Sequence, residues 1–291
     1  MSWLITGGTG QLGIALTHEL SKRGLPYDAY GSKELDITQS QLVKDFVDLH
    51  TPSIIINCAA WTDVDGAEKN EQQAALVNRD GAGNVAIAAK SCGAKLLHIS
   101  TDYVFSGDFQ LPRQEDAPKN PQTSYGRTKA DGEDLILKTY PENSIIIRTA
   151  WLYSPWGKNF VKTMTRLALD GNSQVRVVND QIGQPTSAID LANQIVSLAL
   201  SQTSKGIFHG TNSGEATWFD FAVEIFNIVG ADPNRVAPVP SSEYPQHAKR
   251  PTYSVLSHDA WNETSFIAMR DWRHALADAI PEITSVVKTL R

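Results

Sequence analysis

Two hydrophobic rhythms alternate along the first half of the chain. Short apolar runs closed by turn residues, at 2–6 (SWLIT), 26–31 (PYDAYG), 53–60 (SIIINCAA), 95–100 (KLLHIS) and 144–151 (SIIIRTAW), predict strands. Between them, residues 11–24, 40–50, 70–93 and 124–138 read as helices, the first amphipathic and closed by Gly24. Regular alternation of strand and helix is the pattern of βαβ units, in which helices cover both faces of a parallel sheet. The predicted fold class is therefore α/β, with a Rossmann-type doubly wound parallel sheet and a smaller C-terminal α/β portion.

Beyond Trp151 the rhythm changes. Helices are predicted at 159–171, 188–202 and 218–230, strands at 174–180 and 206–212, and residues 237–254 look like loop. Residues 107–123 are proline-rich and carry no hydrophobic period, and long loops in compact domains are usually functional. The expected division is a dinucleotide-binding portion over 1–151, also drawing on about 183–211, and a second portion over 152–291 interleaved with it.

Composition narrows the chemistry. The chain has 291 residues, enough for a large core, and its 41% hydrophobic and 20% charged residues are ordinary for a globular protein. A formal net charge of -6 argues against a nucleic-acid binder, which would show a basic face. No apolar run is long enough to span a bilayer, and MSWLITGGTG lacks a signal-peptide pattern, so no membrane partner and a cytoplasmic location are expected. The two cysteines, Cys58 and Cys92, have no Cys-x-x-Cys spacing, so neither a zinc site nor a disulfide is expected. Scattered carboxylates leave magnesium open, and a homodimer is compatible with the chain.

LITGGTGQLG sets Gly7, Gly10 and Gly13 three apart between a predicted strand and a predicted helix. A pyrophosphate site needs that arrangement: a tight turn, close approach of backbone to the anion, and a helix N-terminus facing it. The spacing resembles the short-chain dehydrogenase/reductase superfamily, especially its extended members. That superfamily pairs the loop with a downstream Tyr-x-x-x-Lys. Of the eight tyrosines only Tyr125 has a lysine four positions on, Lys129, and residues four apart share a helix face. Taken alone, the pair would read as a solvated surface. At the second strand, Asp28 lies inside YDAYGSK while Ser32 and Lys33 follow its end, which favours NADPH, with NADH the alternative.

A narrower resemblance follows from GGTGQLG, ELDIT, INCAAWTDVDGAE, STDYVFSG, SYGRTK, RTAWLYS, NFVKTM, NDQIGQPT, ATWFDFA and KRPTYSVL. In order and spacing these resemble the dTDP-4-dehydrorhamnose reductase family, from residue 1 to about residue 276. Ser106 departs from it, since the family commonly has an acidic residue there. The resemblance implies NADPH-dependent reduction of the 4-keto group of a dTDP-sugar, with residues 152–291 mainly binding the sugar nucleotide. It also implies that Gly10, Gln11 and Leu12 cradle the cofactor phosphates, that Asp36 and Ile37 touch the adenine region, and that Ala59, Ala60 and Trp61 line the cofactor. Thr101, Asp102 and Trp151 would meet the sugar nucleotide. Asp36 could equally cap the next helix, and Trp151 could be a core aromatic.

Reducing a ketone takes a hydride to carbon and a proton to oxygen. The expected proton donor is Tyr125, with the Lys129 ammonium drawing its phenol pKa down and binding the nicotinamide ribose. Thr101 would hydrogen-bond the substrate carbonyl or Tyr125, and Lys249 or Arg250 would meet the diphosphate. Two rival readings remain at this level. One is another sugar-nucleotide enzyme, an epimerase or a dehydratase, although Thr101 lacks the Asp-Glu pair that elimination wants. The other is a non-catalytic subunit resembling the regulatory subunit of methionine adenosyltransferase.

Overall fold

The first half folds as β1 (Trp3–Thr6), α1 (Gln11–Lys22), β2 (Tyr27–Tyr30), α2 (Ser40–His50), β3 (Ile54–Asn57), α3 (Val64–Lys69), α4 (Glu71–Ala75), α5 (Ala82–Cys92), β4 (Lys95–Thr101), α6 (Ser124–Thr139) and β5 (Ser144–Thr149). Then come β6 (Leu152–Tyr153), α7 (Phe160–Leu169), β7 (Val175–Val178), β8 (Ile182–Gly183), β9 (Thr186–Ser187), α8 (Ala188–Leu200) and β10 (Gly206–His209). The last elements are β11 (Ala216–Thr217), α9 (Trp218–Val229), β12 (Val236–Val239), α10 (Asp259–Asn262) and α11 (Trp272–Thr289). This computed structural model describes residues 2–171, 173–244 and 246–289. Met1, Leu290 and Arg291, at the limits of the two expected portions, and Pro245, in the expected loop, lie outside the described residues.

Six strands form one parallel sheet in the order β2-β1-β3-β4-β5-β10. Period-two alternation sends Ile5, Ile56, Leu97 and Ile147 to one face, where Leu16 and Leu20 of α1 and Leu191 and Ile195 of α8 cover them. Leu4, Ile55, Leu96 and Ile146 face the other way, against Val43 and Val47 of α2, Val85 and Ala89 of α5 and Ile136 of α6. Both faces are buried, which is why these strands read as nearly continuous apolar runs. A third core joins Val161 and Met164 of α7, Phe221 and Ile225 of α9, and Trp272 and Ile283 of α11. The strand order reverses between β1 and β3. In open α/β sheets ligands bind outside the carboxyl ends of the strands at such a point.

Three features differ from the sequence expectation. Residues 237–254 are not all loop: β12 includes Pro238 and pairs in parallel with β7, Val236 opposite Val175, on a two-stranded edge where proline is tolerated. The expected long helix over 70–93 contains a π-helical stretch, Leu76–Gly81. α3 went unforeseen because only Ala67 of its six residues is buried, so it has no apolar period; it is started instead by the Asp63 side chain, which accepts from the Gly66 N–H.

Candidate active site

The glycine loop lies at the strand-order reversal. Gly7 has φ +67°, and a side chain there would bring Cβ within 2.6 Å of the Ala59 backbone nitrogen. A Cβ on Gly13 would stand 2.4 Å from the Gly7 carbonyl oxygen, so Gly13 lets α1 close onto the loop. Gly10, at the start of α1, differs: its Cβ would meet only the Gly7 oxygen, at 3.3 Å. The first turn of α1 has no side-chain cap and no acidic residue, which leaves its N–H groups for an anion. These features fit a dinucleotide pyrophosphate. Gly10→Val should therefore raise the dissociation constant for NADPH about tenfold or more while moving the unfolding temperature by only about 2–4 °C. Calorimetric titration and thermal unfolding measure the two separately, and unchanged affinity would remove Gly10 from the cradle.

A cleft of about 830 Å³ opens above the loop. Gly7, Gly10, Gln11, Leu12, Gly13, Asp36, Ile37, Ala59, Ala60, Trp61, Tyr125 and Lys129, the residues expected to bind the cofactor, all line it. Ser32 lines it too, while Asp28 and Lys33 are not among its lining residues. Asp36 does not cap α2: its Oδ1 accepts from the Thr38 N–H (3.0 Å) and hydroxyl (2.8 Å) in a turn before the helix, and these bonds hold its pKa down. Gln11 is tied in from the segment between β6 and α7, its Oε1 accepting from Ser154 Oγ (3.0 Å) and Asn159 Nδ2 (2.8 Å).

The π-helical stretch positions the reactive helix. Its buried Asn78 accepts from the Trp61 N–H (2.8 Å) and donates to Thr128 Oγ1 of α6 (3.1 Å). A Cβ on Gly132 would fall 2.1 Å from the Asn78 carbonyl oxygen, and one on Gly126 would fall 2.2 Å from that of Tyr103, so α6 lies hard against both. π-Helical turns are frequent at functional sites.

β4 ends at Thr101, and Thr101, Asp102 and Tyr103 face the same cleft as Tyr125 and Lys129. Asp102, Tyr103 and Trp151 also line a second pocket of about 490 Å³, together with Phe160, Trp218, Arg176 and Arg250. The two pockets thus meet at Asp102, Tyr103 and Trp151, with the catalytic candidates on the cleft side. Trp151 is not simply a core aromatic: it has φ +46°, stacks on Trp218 at 3.6 Å between centroids, and lies over Gly183, where a Cβ would come within 2.6 Å of the indole. Arg250 donates to Asp65 Oδ2 of α3 (2.7 Å), whereas Lys249 lines neither pocket.

Electrostatics correct one expectation. Burial pushes the Tyr125 phenol up to about 12, with the Thr101 side-chain hydrogen bond opposing it. The ammonium of Lys129 was expected to draw the phenol down, but its Nζ donates instead to the Ile99 carbonyl (2.6 Å) and stands 3.2 Å from His98 Nε2. Burial lowers the Lys129 amine to about 8 and raises Asp102 to about 6.

Residues 107–123, the long loop expected to be functional, line neither pocket; they brace the tail that does, the Gly107 carbonyl accepting from the Thr252 and Tyr253 N–H groups at 3.0 Å. Asn57, Asp65 and His98 were missed. The available signal was an Asn closing β3 and a His inside β4, both otherwise apolar around them, since polar groups buried in a parallel sheet need specific partners. Among the described residues no group of three or more His, Cys, Asp or Glu is placed to hold a metal ion, and no helix is long and apolar enough to cross a membrane.

Comparison with known proteins agrees with this geometry. The family model described as the RmlD substrate binding domain matches residues 1–285. The chain is 46% identical over 279 residues to a dTDP-4-keto-6-deoxy-D-glucose reductase of Streptomyces niveus, covering 96% of each chain. It is 45% identical over 285 residues to a dTDP-4-dehydrorhamnose reductase of Streptomyces griseus, covering 97% of this chain and 93% of the relative. The crystal structure of a dTDP-4-dehydrorhamnose reductase from Bacillus anthracis in complex with NADP superposes with a TM-score of 0.92 at 40% identity, covering 97% of this chain and 99% of the other. By a family match over nearly its whole length, the chain belongs to the RmlD substrate binding domain family.

Proposed function

We propose that the chain reduces the 4-keto group of dTDP-4-dehydro-L-rhamnose to dTDP-L-rhamnose, with NADPH as the hydride source. The observation that carries this reading is the meeting of two pockets at Asp102, Tyr103 and Trp151, with Thr101, Tyr125 and Lys129 on the dinucleotide side. NADPH is supported by the NADP complex of the Bacillus anthracis relative and by Ser32 at the cleft. When bound it supplies a hydride to C4. The chain supplies the rest. Tyr125 gives its phenolic proton to the C4 oxygen, Thr101 hydrogen-bonds that oxygen as charge develops, and Lys129 orients the ribose. Trp151 forms a wall of the sugar pocket and Arg250 faces the diphosphate.

In this reading residues 1–151, with about 183–211, form the NADPH-binding portion, and the rest of 152–291 forms most of the sugar-nucleotide pocket. The setting in this reading is the cytoplasm. Loss of NADPH absorbance on adding dTDP-4-dehydro-L-rhamnose to the full chain tests the activity. Consumption of one NADPH per sugar is expected, and none would overturn the proposal, since an epimerase or a regulatory subunit consumes no NADPH. The likeness to the Streptomyces niveus enzyme favours a second reading, in which the ketone belongs to dTDP-4-keto-6-deoxy-D-glucose. Comparing kcat/KM for the two sugars separates them.

A further inference from the structure

Among the described residues Thr51 and Trp151 are the two that take a left-handed backbone without being glycine, and of these Trp151 lines the pockets. A bulky side chain at φ +46° is an outlier, and it persists only where its surroundings over-determine it. Three contacts do so here. The Trp151 carbonyl accepts from the Thr186 N–H at 3.2 Å. Trp218 covers one face of the indole, the rings 3.6 Å apart between centroids and 11° from parallel. The Gly183 backbone crowds the same indole at Cε2, Cζ2 and Nε1, where a Cβ would stand 2.6, 2.7 and 2.8 Å away.

Two of these contacts are built as a unit. β8 pairs antiparallel with β11, Gly183 opposite Ala216 and Ile182 opposite Thr217, so strand pairing sets Gly183 against the residues that lead into Trp218. Thr217 and Asp220 then cap α9 reciprocally, which fixes Trp218 as the first residue of the helix. Phe160 of α7 packs on Trp218 at 4.7 Å and 57°. Ordinary core packing would bury both indoles. Both are instead half-buried and line the second pocket, and Trp151 lines the cofactor cleft as well.

We propose that Trp218 and Gly183 are positioning residues that clamp the Trp151 indole at the junction of the two pockets, so that the sugar meets the nicotinamide at one depth and angle. Trp151 borders both compartments, so any shift of its indole moves the sugar relative to the cofactor, and a misplacement of about 1 Å can cost about a hundredfold in rate. A second indole beneath the first resists that shift, because sliding gives up the contact between two large rings. The effect on catalysis rests on the reductase reading above; the clamp itself does not.

Gly183→Ala tests the clamp with a single methyl group. Gly183 is not among the glycines with positive φ, so alanine suits its backbone, and the added carbon presses on the indole alone. With dTDP-4-dehydro-L-rhamnose, kcat/KM should fall about tenfold, while the NADPH dissociation constant is unchanged. Trp218→Leu removes the other jaw and should give the same loss, and Trp218→Phe, which keeps a flat ring under the indole, should come back to within about threefold of the parent chain. A lower unfolding temperature with kcat/KM intact in the folded variants would overturn the proposal, as would a Phe variant no better than Leu. Stacked indoles also couple their electronic transitions, which gives paired bands of opposite sign in far-ultraviolet circular dichroism. Trp151 and Trp218 are the one pair of tryptophans in ring contact among the described residues, so the parent chain should show these bands and Gly183→Ala should weaken them. Their absence from the parent chain would overturn the proposal even if no variant folds. If the parent chain consumes no NADPH the reductase reading fails, and the dichroism still reports on the clamp.

Discussion

Replacing Tyr125 by Phe should lower kcat about a thousandfold and leave NADPH affinity unchanged. The phenol lines the dinucleotide cleft close to where the two pockets meet and holds its proton at every working pH, since burial sets it at about 12. Asp102, at about 6, is mostly ionised at neutral pH and is a poor proton source there. The Phe variant keeps the ring, and with it the edge contact to Tyr103 at 5.5 Å and 74°, so the fold and the cofactor cleft should survive. The pH dependence has a definite sign. The acid form of Tyr125 persists below its pKa, so its share of the rate of reduction should be flat through neutral pH and fall only as pH rises toward about 12. Single-turnover reduction followed by NADPH absorbance gives the rate, and fluorescence titration gives the affinity. Turnover within tenfold of the parent chain would exclude Tyr125 as the acid.

That residue was legible in the sequence because its chemistry is written locally. Tyr125 and Lys129 are one helical turn apart, and Gly7, Gly10 and Gly13 occupy one turn between a strand and a helix. The apolar runs around Leu4 and Ile5 and around Ile55 and Ile56 placed the sheet for the same reason: a strand buried on both faces is a short unbroken apolar run. The environment of Lys129 was not local. His98 lies 31 positions before it and Asn57 another 41 before that, and only the pairing of β3 with β4, Asn57 opposite His98, sets the two side by side. Spacing therefore predicted an ammonium beside a phenol, whereas the fold turns the amine toward β4. β12 was hidden by its proline, and Asp65, which holds Arg250 and the Ala248 N–H, by its place on a helix without an apolar stripe.

Removing one partner of the Arg148–Glu133 pair should cost about 3–5 kcal/mol of stability, the largest expected loss outside the catalytic groups. Both side chains are buried, at 2% and 0% exposure. Arg148 donates through Nε (3.0 Å) and a terminal nitrogen (2.8 Å) to the two Glu133 oxygens, and Ser100 donates to the same carboxylate. Arg148→Met would leave Glu133 with Ser100 and a Lys119 ammonium 3.5 Å away, too little to replace a bidentate guanidinium out of water. The double variant Arg148→Met, Glu133→Leu should recover part of the loss, because no buried charge is then stranded. Chemical denaturation of the three chains measures this, and a double variant no more stable than the single would show that packing, not charge, sets the cost. The pair also reaches the substrate side. Arg148 donates to the Glu115 carbonyl (3.0 Å), and Lys119 donates to that of Ala130 (2.9 Å), which anchors residues 107–123 to α6 and β5. That loop in turn holds Thr252 and Tyr253, next to Arg250 and Ser254 in the second pocket. The sugar-nucleotide KM should therefore rise in Arg148→Met even at temperatures where the variant is fully folded, while the NADPH dissociation constant, governed by the glycine loop at β1, stays in place.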